Sequence, residues 1–88
     1  MDKRVALIGI IVENRDSVPE LNNILHEYSE HIIGRMGLPY QERNISIISV
    51  AVDGPIDLIN ALSGKLGRLD GVSTKAVYSK INLSDRQE

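Results

Sequence analysis

The sequence predicts an α+β domain in which a four-stranded antiparallel sheet carries two helices on one face. Three observations lead to this fold. Runs rich in Val and Ile indicate strands, two stretches with apolar residues three and four apart indicate helices, and the elements follow the order strand, helix, strand, strand, helix, strand. This order is the split βαβ pattern of the ferredoxin-like fold, a βαββαβ sandwich.

The first strand is predicted over residues 4–12, which are nearly all apolar, as in a strand that is buried on both faces. A polar loop follows at residues 13–16. Ser17 and Glu20 then have the spacing of a capping box, and Pro19 falls in the first helical turn, where its missing N–H is tolerated. A first helix is therefore predicted, with a packing face of Val18, Leu21, Ile24, Leu25 and Tyr28.

The second strand is predicted over residues 32–38, closed by Pro39. Strand alternation assigns its side chains to two faces, Ile32, Gly34, Met36 and Leu38 on one and Ile33, Arg35 and Gly37 on the other. A polar turn at residues 41–44 leads to a third strand at 45–52.

The second helix is predicted to begin at Pro55, capped by Asp53 or Gly54, and to end at Gly67 or Gly71. Its packing face consists of Ile56, Leu58, Ile59, Leu62 and Leu66. Residues 72–79 form the fourth predicted strand. We expect residues 1–83 to be a single domain and residues 84–88 to be a mobile polar tail.

Both faces of the predicted sheet are apolar, although two helices can cover only one. Strand alternation assigns the apolar residues of the first strand to two faces, with Val5, Leu7 and Ile11 on one face and Ala6, Ile8, Ile10 and Val12 on the other. In the third strand, Ile45 and Ile47 lie on one face and Ile48, Val50 and Val52 on the other. A monomer would expose a large apolar patch. We therefore expect a homo-oligomer, a dimer or tetramer; the alternative is partial cover of the edges by loops and the tail.

The composition excludes several classes of function. A net charge of −2 and a pI of about 5.6 provide no basic surface for nucleic acid. No run reaches the roughly 20 apolar residues of a membrane span, and no secretory signal is recognisable, so we expect a cytoplasmic protein. The chain has no Cys, which excludes disulfides, thiolate nucleophiles and cysteine-ligated clusters within it.

The histidines and the catalytic residue types give little support for a metal site or an enzyme. His26 and His31 are five residues apart, which is wrong for one helix face, and two exposed or half-packed imidazoles are the simpler interpretation. There is no Ser-His-Asp or Cys-His set. The third strand also lacks the aromatic and basic residues of an RNA-recognition module. We expect no catalytic residues and no metal, and leave any cofactor unassigned.

Two segments contain candidate ligand or interface residues. Gly34, Arg35, Met36 and Gly37 lack the spacing of a phosphate-binding loop, so the glycines indicate a bulge or a close backbone approach. Arg35 either binds an anion or carboxylate or is a solvated residue of an edge strand. If it binds an anion or carboxylate, Arg35→Ala would weaken assembly or effector binding. Asn14 and Arg15 precede a helix N-terminus that could attract an anion, although Glu13, Asp16 and Glu20 surround it and capping by Ser17 is the preferred interpretation.

Most of the chain resembles the iron-only ([FeFe]) hydrogenase system regulators. The matching segments are residues 5–13, 25–28, 32–40 with Gly34-Arg35-Met36-Gly37, 45–49, 61–67 with Leu62-Ser63-Gly64-Lys65-Leu66-Gly67, and 71–80. The resemblance implies an ACT-like domain, similar in shape to the effector domain of nickel-responsive repressors, which oligomerises and binds small effectors. It also implies a role in regulating hydrogenase expression or maturation. The chain has no ribbon-helix-helix segment for DNA.

The predicted function is that of a non-enzymatic, oligomeric regulatory domain that binds a small effector or a protein partner at a subunit interface. The alternative is a structural or assembly partner of a hydrogenase-maturation protein, with no small ligand. Neither function requires a membrane or direct contact with nucleic acid.

Overall fold

The computed structural model describes residues 3–80 and confirms the predicted fold class. The strands are β1 (Lys3–Val12), β2 (Ile32–Tyr40), β3 (Ile45–Pro55) and β4 (Val72–Tyr78), and the helices are α1 (Val18–Glu27) and α2 (Ile56–Gly67). The sheet has the order β2-β3-β1-β4 and every pair is antiparallel. Strands β2 and β4 are therefore the edges. The 84–88 tail lies outside the described residues.

One hydrophobic core fills the space between the sheet and the helices. Alternate residues of β1 and β3 point into it, and both helices contribute the apolar residues at their predicted spacing. Its fully buried side chains include Ile8, Ile10, Val12, Leu21, Val50, Val52, Ile59, Leu62 and Leu66. Each such side chain contributes about 1.5–3 kcal/mol by burial. Neither helix is long and apolar enough to span a membrane.

Within residues 3–80, no element covers the opposite side of the sheet. We call it the open face, and it consists of Val5, Leu7, Gly9 and Ile11 of β1, Gly34, Met36, Leu38 and Tyr40 of β2, Ile45, Ile47, Ser49 and Ala51 of β3, and Ser73, Lys75 and Val77 of β4. Leu7 is 50% exposed, Met36 74% and Val77 68%. Within residues 3–80, strand β1 is thus buried on one face only, so the prediction of a strand buried on both faces was wrong for the single chain.

The register of β2 changes near its start. Ile32 pairs with Val52 and Gly34 pairs with Ala51, so Ile33 is an extra residue that forms a β-bulge. The bulge expected at the glycines is therefore present. It also turns Ile32 towards the core, whereas simple alternation had assigned Ile32 to the face of Gly34; that assignment was wrong because an inserted residue reverses the alternation.

The loops at one end of the sheet are joined by polar contacts that replace the predicted capping box. Ser17 Oγ donates to the carbonyl oxygen of Asp70 (2.7 Å) and makes no capping bond to α1. Asn14 Nδ2 donates to Asp70 Oδ2 (2.7 Å), and the Glu13 N–H donates to the Gly71 carbonyl (2.7 Å). Ser17 occupies the predicted cap position before α1, but the predicted capping bond was wrong because the hydroxyl donates to the Asp70 carbonyl instead.

The ends of α2 agree with the predicted start and end of the second helix to within one residue. Pro55 is the cap rather than the first helical residue, and the helix ends at Gly67. Gly71 has a φ of +71°, in the left-handed region where a Cβ is strained. The residue is also packed closely, because a Cβ built there would lie 2.6 Å from Asn14 Cβ and 2.9 Å from Asn14 N.

Replacing Gly71 by alanine tests the close packing between the loop that contains Gly71 and the loop that contains Asn14. We expect Gly71→Ala to lower the free energy of unfolding by about 2 kcal/mol or more, because the left-handed conformation and the steric overlap both oppose a side chain. Urea unfolding measures the change. Gly37→Ala is the matched control, since a Cβ at Gly37 meets nothing within 4 Å. Equal stability of the two variants would contradict the packing described at Gly71.

Candidate functional site

The open face is organised in rows of paired residues that cross the four strands. In the central row, Met36 pairs with Ser49, Ser49 with Gly9, and Gly9 with Lys75. The rows on either side run Gly34, Ala51, Leu7, Val77 and Leu38, Ile47, Ile11, Ser73. Paired residues of antiparallel strands point to the same side, so the centre of the face contains its smallest and most polar residues.

A depression forms where the central row has no large side chain. It has a volume of about 600 Å³, with Gly9 and Ser49 at its base, Ile11 and Ile47 as an apolar wall, and Lys75 at its rim. A volume of this size is within the range of small-molecule sites in proteins. We call this depression the central trough.

Asp53 pairs with Val5 and lies on the same side near one end of the sheet, so Lys75 is the only charged side chain of the three rows described above. It is exposed, and no ion pair to it occurs among residues 3–80. Two hydroxyls accompany it, those of Ser49 and Ser73. The trough thus combines one ammonium group, two hydroxyls and apolar walls, a set that favours an amphipathic anion over a cation.

The structure separates the glycine–arginine segment predicted as a candidate site. Gly34 and Met36 belong to the open face, whereas Arg35 and Gly37 point to the side of the helices, opposite Val50 and Ile48. A Cβ at Gly34 would meet nothing within 4 Å, so no backbone of the same chain approaches it. The four residues therefore serve two different surfaces.

Arg35 lies beside helix α1. Its Nη1 donates to Asn22 Oδ1 (3.3 Å) in an exposed contact. Together with His26 and Ser29 it lines a shallow depression of about 310 Å³ whose apolar floor includes Leu25. The depression is close to the C-terminus of α1, whose negative dipole end opposes an anion there.

The remaining candidates lie apart from the open face. Asn14 is held by the loop contacts to Asp70, and Arg15 is exposed in a short 3₁₀ turn. His26 is exposed, and His31 is half-buried with Nδ1 3.3 Å from the carbonyl oxygen of Asp53. No group of three or more His, Asp or Glu side chains within residues 3–80 is arranged to hold a metal ion.

Sequence reasoning missed Gly9, Ser49 and Lys75 as members of one site. Strand alternation alone puts Gly9 and Leu7 on the same side of β1, and Lys75 and Val77 on the same side of β4. Their proximity depends on the strand order and the register, in which Gly9 lies between Ser49 and Lys75. A glycine within an otherwise Val- and Ile-rich strand was the available signal.

The comparisons with known proteins agree with the fold and assign the family. Residues 4–76 match the TM1266-like family, described as "Iron-only hydrogenase system regulator, putative". The chain belongs to this family. A solved structure titled as that of the uncharacterized protein TM1266 from Thermotoga maritima is 39% identical, with a TM-score of 0.84 over 89% of this chain and 99% of that one. None of the curated proteins compared with the chain matches it significantly.

Arg35→Ala is expected to change the free energy of unfolding by less than about 0.5 kcal/mol, because its bond to Asn22 is exposed and long. Urea unfolding of this variant and of Asn22→Ala measures the change. With stability unaffected, a loss of assembly or ligand binding in Arg35→Ala would report a functional role. A loss of stability above about 1.5 kcal/mol in both variants would instead make the pair a structural contact.

Proposed function

We propose that this member of the family is a cytoplasmic, non-enzymatic regulatory domain of the iron-only hydrogenase system that works as a homo-oligomer. In this proposal the open face is the subunit interface, and binding at that interface carries the regulatory signal. The family description supports regulation. The observation that supports the proposed homo-oligomer is the apolar surface of the open face.

The size of the open face supports a protein partner. Four strands about 4.8 Å apart, over positions 5–11 spaced about 3.4 Å, give a projected area on the order of 450 Å². Because its side chains project from the sheet, the accessible area is larger, comparable with the roughly 800 Å² that each partner contributes to a specific interface. Soluble monomers seldom leave so continuous an apolar surface in water.

The composition of the open face favours a second copy of the chain as the partner. Large side chains such as Leu7 and Met36 alternate with small residues at Gly9, Gly34 and Ala51. A surface with both projections and hollows can be self-complementary about a two-fold axis, as isologous interfaces require. Lys75 is the only charged side chain of the three central rows, so little charge complementarity is needed there.

The second candidate function is assembly with a hydrogenase-maturation protein, without a small ligand. The same apolar face favours this candidate, because an apolar sheet can be covered by a different protein as well as by a second copy. A role in transcription regulation would require a separate DNA-binding partner, since the chain has a net charge of −2.

Sedimentation equilibrium of the full chain at micromolar concentration tests the homo-oligomer. We expect a species larger than the 9.7 kDa monomer. Met36→Asp and Val77→Asp, on the two opposite edge strands but on the same face, are each expected to raise the dissociation constant about 100-fold or more, because each buries an unpaired carboxylate in an apolar interface. Circular dichroism checks that the variants remain folded.

Gly37→Asp is the matched control, because Gly37 is next to Met36 but on the other side of β2 with open space around it. It is expected to leave the dissociation constant unchanged. A monomeric chain, or an assembly disrupted by Gly37→Asp but insensitive to Val77→Asp, would contradict an interface on the open face. The second result would instead indicate pairing along the edge of β2.

A further inference from the structure

We infer that the central trough is a binding site for a small amphipathic carboxylate, with Lys75 as the anion-binding residue. The inference rests on the proposed function in one respect, because an oligomer formed through the open face would enclose the trough at the subunit interface. It names the chemical class of the effector, which the proposed function leaves open.

The shape of the trough derives from Gly9. Its neighbours on the same row, Ser49 and Lys75, face it from both sides, so a side chain at position 9 would occupy the centre of the depression. A Cβ there would meet only the Lys75 carbonyl oxygen, at 3.8 Å, which is an ordinary contact. Steric conflict within the described residues therefore does not require glycine at position 9, where the residue lines the depression of about 600 Å³.

The polarity of the trough argues against an apolar side chain of a second copy as its occupant. Such a side chain would remove the ammonium of Lys75 and the hydroxyls of Ser49 and Ser73 from water without giving them partners. Burying an unpaired charge in this way is costly. A carboxylate placed beside Lys75 satisfies the ammonium and can accept from both hydroxyls, so it removes this cost.

Within the part of the chain that the structure describes, residues 3–80, no carboxylate lies beside the trough. The nearest acidic residues along the strands of the open face are Asp53, which pairs with Val5, and Glu13, which follows β1. Each is four residues along the strand from the central row, or about 13 Å. We therefore assign the anion to a bound molecule, and the experiment below distinguishes it from a carboxylate of a second copy.

The walls of the trough define the rest of the ligand. Ile11 and Ile47 form one side, and no further charged group lines it. A short aliphatic chain would cover these walls, while a polar or doubly charged ligand would leave buried polar groups unpaired. The expected ligand class is a monocarboxylate with an aliphatic body of a few carbons.

Hexanoate is a suitable probe, and hexylammonium has the same aliphatic chain with the opposite charge. In ¹H–¹⁵N NMR titrations of the full chain, hexanoate is expected to shift the amide resonances of Gly9, Ser49 and Ser73 in a saturable manner, whereas hexylammonium is not. Lys75→Gln is expected to weaken hexanoate binding by about tenfold, and Lys75→Arg to retain it, because the charge-assisted contact is lost only in the first variant. Gly9→Val places a branched side chain at the base of the trough and is expected to reduce the shifts strongly.

Equal binding of hexanoate and hexylammonium, or hexanoate binding that Lys75→Gln leaves unchanged, would overturn the inference. So would a Lys75→Gln chain that loses self-association in the absence of hexanoate, because Lys75 would then pair with a carboxylate of the second copy. Sedimentation of the same samples separates the two proposals. An oligomer without hexanoate binding refutes only the carboxylate site, whereas a monomer that binds hexanoate through Lys75 refutes only the oligomer.

Discussion

A geometric constraint governs this domain: two helices cover one face of a four-stranded sheet, and no element among residues 3–80 covers the other. In most antiparallel sheets with one solvated face, the outward residues of each strand are polar. Here the outward residues of the two central strands include Leu7, Ile11 and Ile47. The hydrophobic effect that forms the core therefore acts on the second face as well, and residues 3–80 leave its apolar side chains partly exposed.

The sequence predicted the elements and the class of fold because their signals are local. Residues 5–12 and the spacing of Leu62 and Leu66 identify a strand and a helix without reference to the rest of the chain. Errors occurred where a tertiary contact decided the outcome. The Ser17 hydroxyl has the sequence context of a cap but bonds Asp70, and Ile32 changes sides because a bulge adds one residue.

The candidate site was less predictable than the fold, since it depends on pairing between distant strands. Nothing in the sequence near Gly9 indicates that it lies beside Ser49 and Lys75, which are far along the chain. Conversely, adjacent residues such as Arg35 and Met36 had suggested one site, although strand alternation places them on opposite sides of the sheet. The residues of a contiguous motif in a strand therefore lie on two opposite surfaces of the sheet.

The edges of the sheet support the proposal that the open face, rather than strand pairing along an edge, is the surface for association. Proteins protect edge strands with bulges, prolines and charged residues, which interrupt the regular row of hydrogen-bonding groups. Strand β2 has all three, in the bulge at Ile33, in Pro39 and in Arg35. Strand β4 is the shortest of the four and carries Lys75 at its centre. Because both edges are interrupted while the face between them is continuous and apolar, covering that face gives the larger gain in free energy.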